Sequence, residues 1–68
     1  MKITVAGNIR EYEDGLSVAR LIELENVEMP DYVTITVNDD FVDNDRRAET
    51  VLAEGDQVEF LYFMGGGR

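Results

Sequence analysis

The residues of this chain with the clearest chemical potential are three consecutive glycines, Gly65-Gly66-Gly67, followed by Arg68. Glycine lacks a Cβ, so a run of it permits close backbone approach and φ/ψ values that other residues avoid. Such a segment reads as a slim arm that threads into another protein's active site, or as a frayed terminus, since domain ends are commonly loose. The other reactive groups are few. With no Cys and no His, the chain has no thiol nucleophile, imidazole base, disulfide or ordinary zinc site. Fifteen carboxylates remain. The densest stretch, Asp39-Asp40-Phe41-Val42-Asp43-Asn44-Asp45, lacks the spaced ligands, central Gly and closing Glu of an EF-hand, and reads as a solvated loop. Arg46-Arg47 reads as a neutraliser of those carboxylates, through surface pairs that contribute little stability. Paired carboxylates for glycoside hydrolysis need a cleft between them. A domain of this size buries only about 60% of its unfolded surface, which leaves no room for a core and a deep cavity together. An enzyme is therefore not expected, and neither is a bound metal.

The formal net charge is −9. Phosphate binding needs clustered Lys and Arg, so nucleic acid is not an expected partner, and neither is an anionic membrane surface. A partner with a basic docking face is the complement. The start, Met1-Lys2-Ile3-Thr4-Val5-Ala6-Gly7, has no apolar h-region, and there is no long apolar run elsewhere. No signal peptide or membrane span is expected, and the expected location is cytoplasmic.

Several elements must position the glycines. Ile3 and Val5 alternate with Lys2 and Thr4, the period-two pattern of a half-buried strand. Gly7-Asn8 marks a turn, and Ile9 to Glu13 returns as a second strand. Ser17 is a good N-cap for a helix running to about Glu25, with Val18, Leu21 and Ile22 on its apolar stripe. Arg20 stands where a capping box would have Glu. Val33, Ile35 and Val37 alternate with Thr34 and Thr36 in a strand rich in β-branched residues. Asn38-Asp39-Asp40 turns the chain into a short strand at Phe41-Val42. A charged, irregular stretch follows, with one helical turn near Arg46 to Thr50. Gln57 to Phe63 is the last strand.

Strand, strand, helix, strand, short strand, strand predicts one mixed sheet of four to five strands with the helix across one face. If the first and last strands pair in parallel at its centre, the α+β fold is a β-grasp. Residues 1–64 then form the domain and residues 65–68 a flexible Gly-rich tail. On the last strand Val58, Phe60 and Tyr62 share one face, and Glu59, Leu61 and Phe63 the other. Glu59 places its own face outward with Thr4, Thr34 and Thr36. Leu61 and Phe63 are therefore expected to be exposed, as a small partner-docking patch beside the tail.

The segments Met1-Lys2-Ile3-Thr4-Val5, Glu13-Asp14-Gly15-Leu16-Ser17-Val18 and Val37-Asn38 carry a family resemblance. So do Ala48-Glu49-Thr50-Val51-Leu52, Glu54-Gly55-Asp56-Gln57-Val58-Glu59 and Phe63-Met64-Gly65-Gly66-Gly67. In this order, over nearly the whole chain, they resemble ThiS-type sulfur carriers of the ThiS/MoaD family, prokaryotic relatives of ubiquitin. The resemblance implies a protein cosubstrate whose terminal glycine is adenylated by an E1-like enzyme using ATP and Mg²⁺. It also implies a persulfide protein as sulfur donor. Sulfur displaces AMP to leave a thiocarboxylate, which a sulfur-accepting synthase such as a thiazole synthase consumes. Typical members end at glycine, whereas this chain continues to Arg68. A processing protease is implied, with Gly67 the modified residue, or Gly66 if trimming goes further. Where many thiamine-pathway carriers have Val-Pro-Arg, this chain has Val42-Asp43-Asn44, so carriers feeding methionine, cysteine or molybdopterin synthesis stay open beside thiamine thiazole. Two other readings stay open too: a ubiquitin-like modifier joined to lysines, and a β-grasp interaction module that keeps Arg68.

Overall fold

The computed structural model describes residues 1–28 and 30–62. Five strands form one sheet: β1 (Lys2–Val5), β2 (Asn8–Glu11), β3 (Val33–Val37), β4 (Asp40–Val42) and β5 (Gln57–Tyr62). Helix α1 covers Val18–Leu24, and a single 3₁₀ turn covers Asn44–Arg46. The sheet order is β2-β1-β5-β3-β4. β1 and β5 run parallel and the other neighbours antiparallel. Parallel first and last strands at the centre, with one helix across a face, make the β-grasp that the element order predicts.

Both hairpins have two-residue turns with positive φ at each centre, Ala6-Gly7 (50° and 85°) and Asn38-Asp39 (53° and 72°). This backbone twist matches the strands it joins. The first turn falls one residue earlier than Gly7-Asn8, which leaves Ala6 in a left-handed conformation that a Cβ disfavours. β2 is also shorter than the expected Ile9 to Glu13, although Tyr12 N–H still donates to Met1 O at 2.9 Å.

The helix is capped at both ends. Ser17 is the N-cap, its Oγ accepting from Arg20 N–H at 3.1 Å. Val18 N–H donates to Thr50 O (2.9 Å), Ala19 N–H to Arg47 O (3.0 Å) and Leu21 N–H to Ser17 O (3.0 Å). The first three helical N–H groups, which have no acceptor within the helix, thus all find one outside it, two of them in the charged stretch. That pairing gives the irregular 44–52 segment a fixed course. At the other end Asn26 adopts φ 55°. Its N–H reaches Glu23 O and that of Val27 reaches Ile22 O, both at 3.2 Å, the bond pair of a Schellman cap.

The core lies between helix and sheet. Ile3, Val5, Leu16, Val18, Leu21, Ile22, Val33, Ile35, Leu52 and Val58 are buried there, with Tyr12, Val27, Val37, Val42 and Phe60 packed around them. No helix among the described residues is long and apolar enough to cross a membrane.

Arg47 departs from its expected surface role. Of the two arginines Arg46 faces a carboxylate, Glu49 at 3.5 Å, which is not one of the expected Asp39–Asp45 group. Arg47 is buried and donates from its two terminal nitrogens to Pro30 O (2.8 Å) and Val33 O (2.7 Å), while its Nε has no partner. The guanidinium thereby fastens the loop between α1 and β3. Replacing Arg47 with Met keeps the aliphatic stem but strands two carbonyls. A loss of about 1.5–3 kcal/mol is expected in urea unfolding, whereas a surface neutraliser would leave the midpoint unchanged.

Candidate functional site

The expected site has two parts, the glycine tail and the strand leading into it. Gly65, Gly66, Gly67, Arg68 and the expected docking residue Phe63 lie outside the described residues. The strand is well defined over its length. β5 pairs with β3 along five rungs, from Val58 opposite Val37 to Tyr62 opposite Val33. It meets β1 over only two, Thr4 with Gln57 and Val5 with Val58. Its N-terminal end is tied down closely. Asn38 N–H donates to Gln57 O (2.7 Å), Gln57 N–H to Asn38 Oδ1 (3.0 Å) and Asn38 Nδ2 to Asp56 Oδ1 (2.9 Å). Asp56 Oδ2 also accepts from Ala53 N–H at 2.8 Å.

Side chains directly opposite each other share a face, so the register defines the open side of the sheet. Ile9 stands beside Thr4, Leu61 beside Thr34, and both Glu59 and Phe41 beside Thr36. Leu61 is thus on the open face as expected, but half-buried rather than exposed. Thr36 is on the expected outward face but only 5% exposed between its neighbours, and its hydroxyl has no partner. Thr4 and Thr34 are also half-buried.

The large exposed apolar groups of this face are ones the sequence reading missed, Ile9 (76%) and Phe41 (71%). They sit on the two outer strands, four strand spacings or roughly 19 Å apart, with Leu61 between them. Phe41 lies in a stretch whose acidity masked its apolar content. Ile9 follows a turn whose position decides which face it takes. Only the register places them together.

On the helix side, Tyr12 donates its hydroxyl to the Glu25 carboxylate, with Arg10 Nε 3.7 Å from the same group. Burial raises the Tyr12 pKa above its ordinary value, and the hydrogen bond to Glu25 and that residue's charge push the same way. The cluster ties β2 to the end of α1. A concavity of about 540 Å³ beside β4 is lined by Phe41, Val42, Asp43, Arg46 and Thr50 among others and opens to solvent. Among the described residues no three carboxylates gather closely enough to hold a metal ion.

A five-stranded β-grasp sheet whose central strand runs out toward a terminal glycine run defines a ubiquitin-like protein. The chain belongs to the ThiS family, whose pattern matches residues 3–67. It is similar to the crystal structure of the thiamine biosynthesis protein ThiS from Geobacter metallireducens, at 36% identity and a TM-score of 0.90, covering 98% of this chain and 100% of that one. A solution structure of a thiamine biosynthesis protein from the same organism is also 36% identical, with a TM-score of 0.76 over 100% of this chain and 90% of that one. No curated protein sequence matches the chain significantly.

Proposed function

We propose that this protein is a sulfur carrier of thiamine biosynthesis, a cosubstrate rather than an enzyme, and that Gly67 carries the sulfur. The observation that supports this reading is the extent of the family match, which runs through Gly67 and stops before Arg68. The three glycines thus fall within the span matched to the family. The thiazole pathway is favoured by the ThiS similarity, over nearly all of both chains.

A carboxylate is a poor electrophile, and converting it to an acyl phosphate supplies a leaving group. In the proposed sequence an E1-like partner brings the Gly67 carboxylate to the α-phosphate of ATP, with Mg²⁺ on the phosphates. Pyrophosphate leaves and an acyl adenylate forms. A persulfide from a donor protein attacks the glycyl carbon, AMP departs, and a thiol then cleaves the S–S bond to leave the thiocarboxylate. A synthase accepts the sulfur. Glycine leaves the reacting carbon unhindered, and the carrier needs no cysteine because its sulfur comes from a partner. The open sheet face, with Leu61 on β5 and Ile9 and Phe41 on the outer strands, is the proposed docking surface for the activating enzyme, and Phe63, outside the described residues, is proposed to add to it.

Intact mass of the protein isolated from its own cell tests this. The expected species ends at Gly67 with one oxygen replaced by sulfur. A mass corresponding to attachment to other proteins would favour the modifier reading. An unmodified chain retaining Arg68, under conditions of active thiazole synthesis, would favour an interaction module.

A further inference from the structure

We propose that the free edge of β2 takes an extended segment of a partner protein as an added antiparallel strand, one that carries a basic residue two positions before an apolar one. Main-chain groups point alternately to the two sides of a strand. In β1, Thr4 N–H donates to Asp56 O and Ala6 N–H to Val58 O, both at 2.9 Å, so these residues face β5. Ile3 and Val5 therefore face β2, where they stand opposite Arg10 and Asn8. Tyr12 continues that ladder, its N–H donating to Met1 O at 2.9 Å and its carbonyl accepting from the Met1 ammonium at 2.6 Å. Asn8, Arg10 and Tyr12 thus spend their main-chain groups inward. Ile9 and Glu11, between them, turn theirs outward, and among the described residues nothing bonds them. Their N–H and C=O groups line an edge whose four residues are all exposed, the template that strand addition uses.

The opposite edge of the sheet is blunted. β4 has three residues. Asn38 N–H reaches Gln57 O, which by alternation leaves only Phe41, opposite Thr36, turned outward within the strand. The next outward carbonyl, that of Asp43, already accepts from Arg46 N–H at 2.9 Å. Short, turned-away and charged edges resist pairing. Arg10 does not guard β2 in this way, because its Nε lies 3.7 Å from the Glu25 carboxylate on the helix side.

Side chains select the occupant. Ile9 and Glu11 share the open face with Thr4 and Lys2. Ile9 is 76% exposed, which suits an apolar neighbour. Among the described residues no ion pair involves Glu11, and Glu13 and Asp14 just beyond it are exposed, which suits a basic one. A second copy of this chain fits worse. It brings the same net charge of −9, and the register that pairs Ile9 with Glu11 sets Arg10 against Arg10.

Amide hydrogen exchange on the full chain, read by NMR with and without the capped peptide acetyl-Lys-Thr-Lys-Thr-Val-Thr-amide, tests the proposal. Exchange at Ile9 and Glu11 should slow by about fivefold or more, the factor that one net hydrogen bond supplies, with Phe41 unchanged. The acidic peptide acetyl-Glu-Thr-Glu-Thr-Val-Thr-amide should protect neither residue. Ile9→Pro removes an outward donor at an edge position where proline is tolerated, and should abolish the protection at Glu11. If that variant does not fold, Glu11→Lys keeps the main chain and should reverse the preference between the two peptides. No protection at saturating basic peptide overturns the proposal, as does equal protection by both peptides or at Phe41. Protection that grows with the protein's own concentration and needs no peptide assigns the edge to a second copy, and overturns it too.

Discussion

Leu21→Ala is expected to destabilise the protein by about 2–5 kcal/mol, the usual cost of emptying a buried leucine site. The side chain is fully buried, and α1 is only seven residues long. Helices this short are unstable alone and depend on tertiary packing. Val18, Leu21 and Ile22 are the only buried residues of α1, and Leu21 stands at the middle of its stripe. The available stability is small. At roughly 0.05–0.15 kcal/mol per residue, a chain of this length holds a total of the same order as the expected loss. Leu21→Ala should therefore be largely unfolded near 37 °C, and its urea midpoint should fall sharply at lower temperature. Leu24→Ala is the internal control, because Leu24 is 41% exposed and its truncation leaves little cavity. The same midpoint shift for both variants, measured by circular dichroism, would refute a core organised around Leu21.

Much of this fold was legible because its signals are local. The β-branched alternation of Val33–Val37 and the Ser17 cap depend on neighbouring residues, and both appear where the pattern puts them. Features set by long-range contacts were not legible. Arg47 looks like its neighbour Arg46 in sequence, yet one is buried against carbonyls and the other is on the surface. The difference comes from the 47–52 segment running beside the helix start, where Thr50 O and Arg47 O take the first amide donors. The open face was partly legible for a similar reason. The parity of β5 gives Leu61 its side, but Ile9 and Phe41 acquire theirs through the registers of β2 and β4. The helical turn expected near Arg46 to Thr50 is present, with Glu49 N–H (3.1 Å) and Thr50 N–H (3.0 Å) both donating to Arg46 O, and the 3₁₀ turn at Asn44–Arg46 leads into it.

The form ending at Gly67 is expected to support ATP–pyrophosphate exchange about 100-fold faster than the chain ending at Arg68. The argument rests on access and charge. The proposed adenylation must bring a terminal carboxylate to the α-phosphate of ATP, in a site whose cationic groups are arranged to stabilise anionic phosphate. A glycine end can pass a narrow channel without a side chain to accommodate. An arginine end moves the carboxylate one residue farther along, up to about 3.6 Å, and adds a guanidinium where positive charge is already supplied. The guanidinium can pair with a phosphate, but that contact pulls the carboxylate out of line. A misplacement of about 1 Å is enough to cost around 100-fold in rate. The comparison uses both forms at saturating concentration with the cognate activating enzyme, with intact mass recorded before and after. Trimming of the full chain during the assay would itself reveal the processing step. Equal rates with Arg68 still in place at the end would sink the precursor hypothesis and make the arginine carboxylate the reactive group.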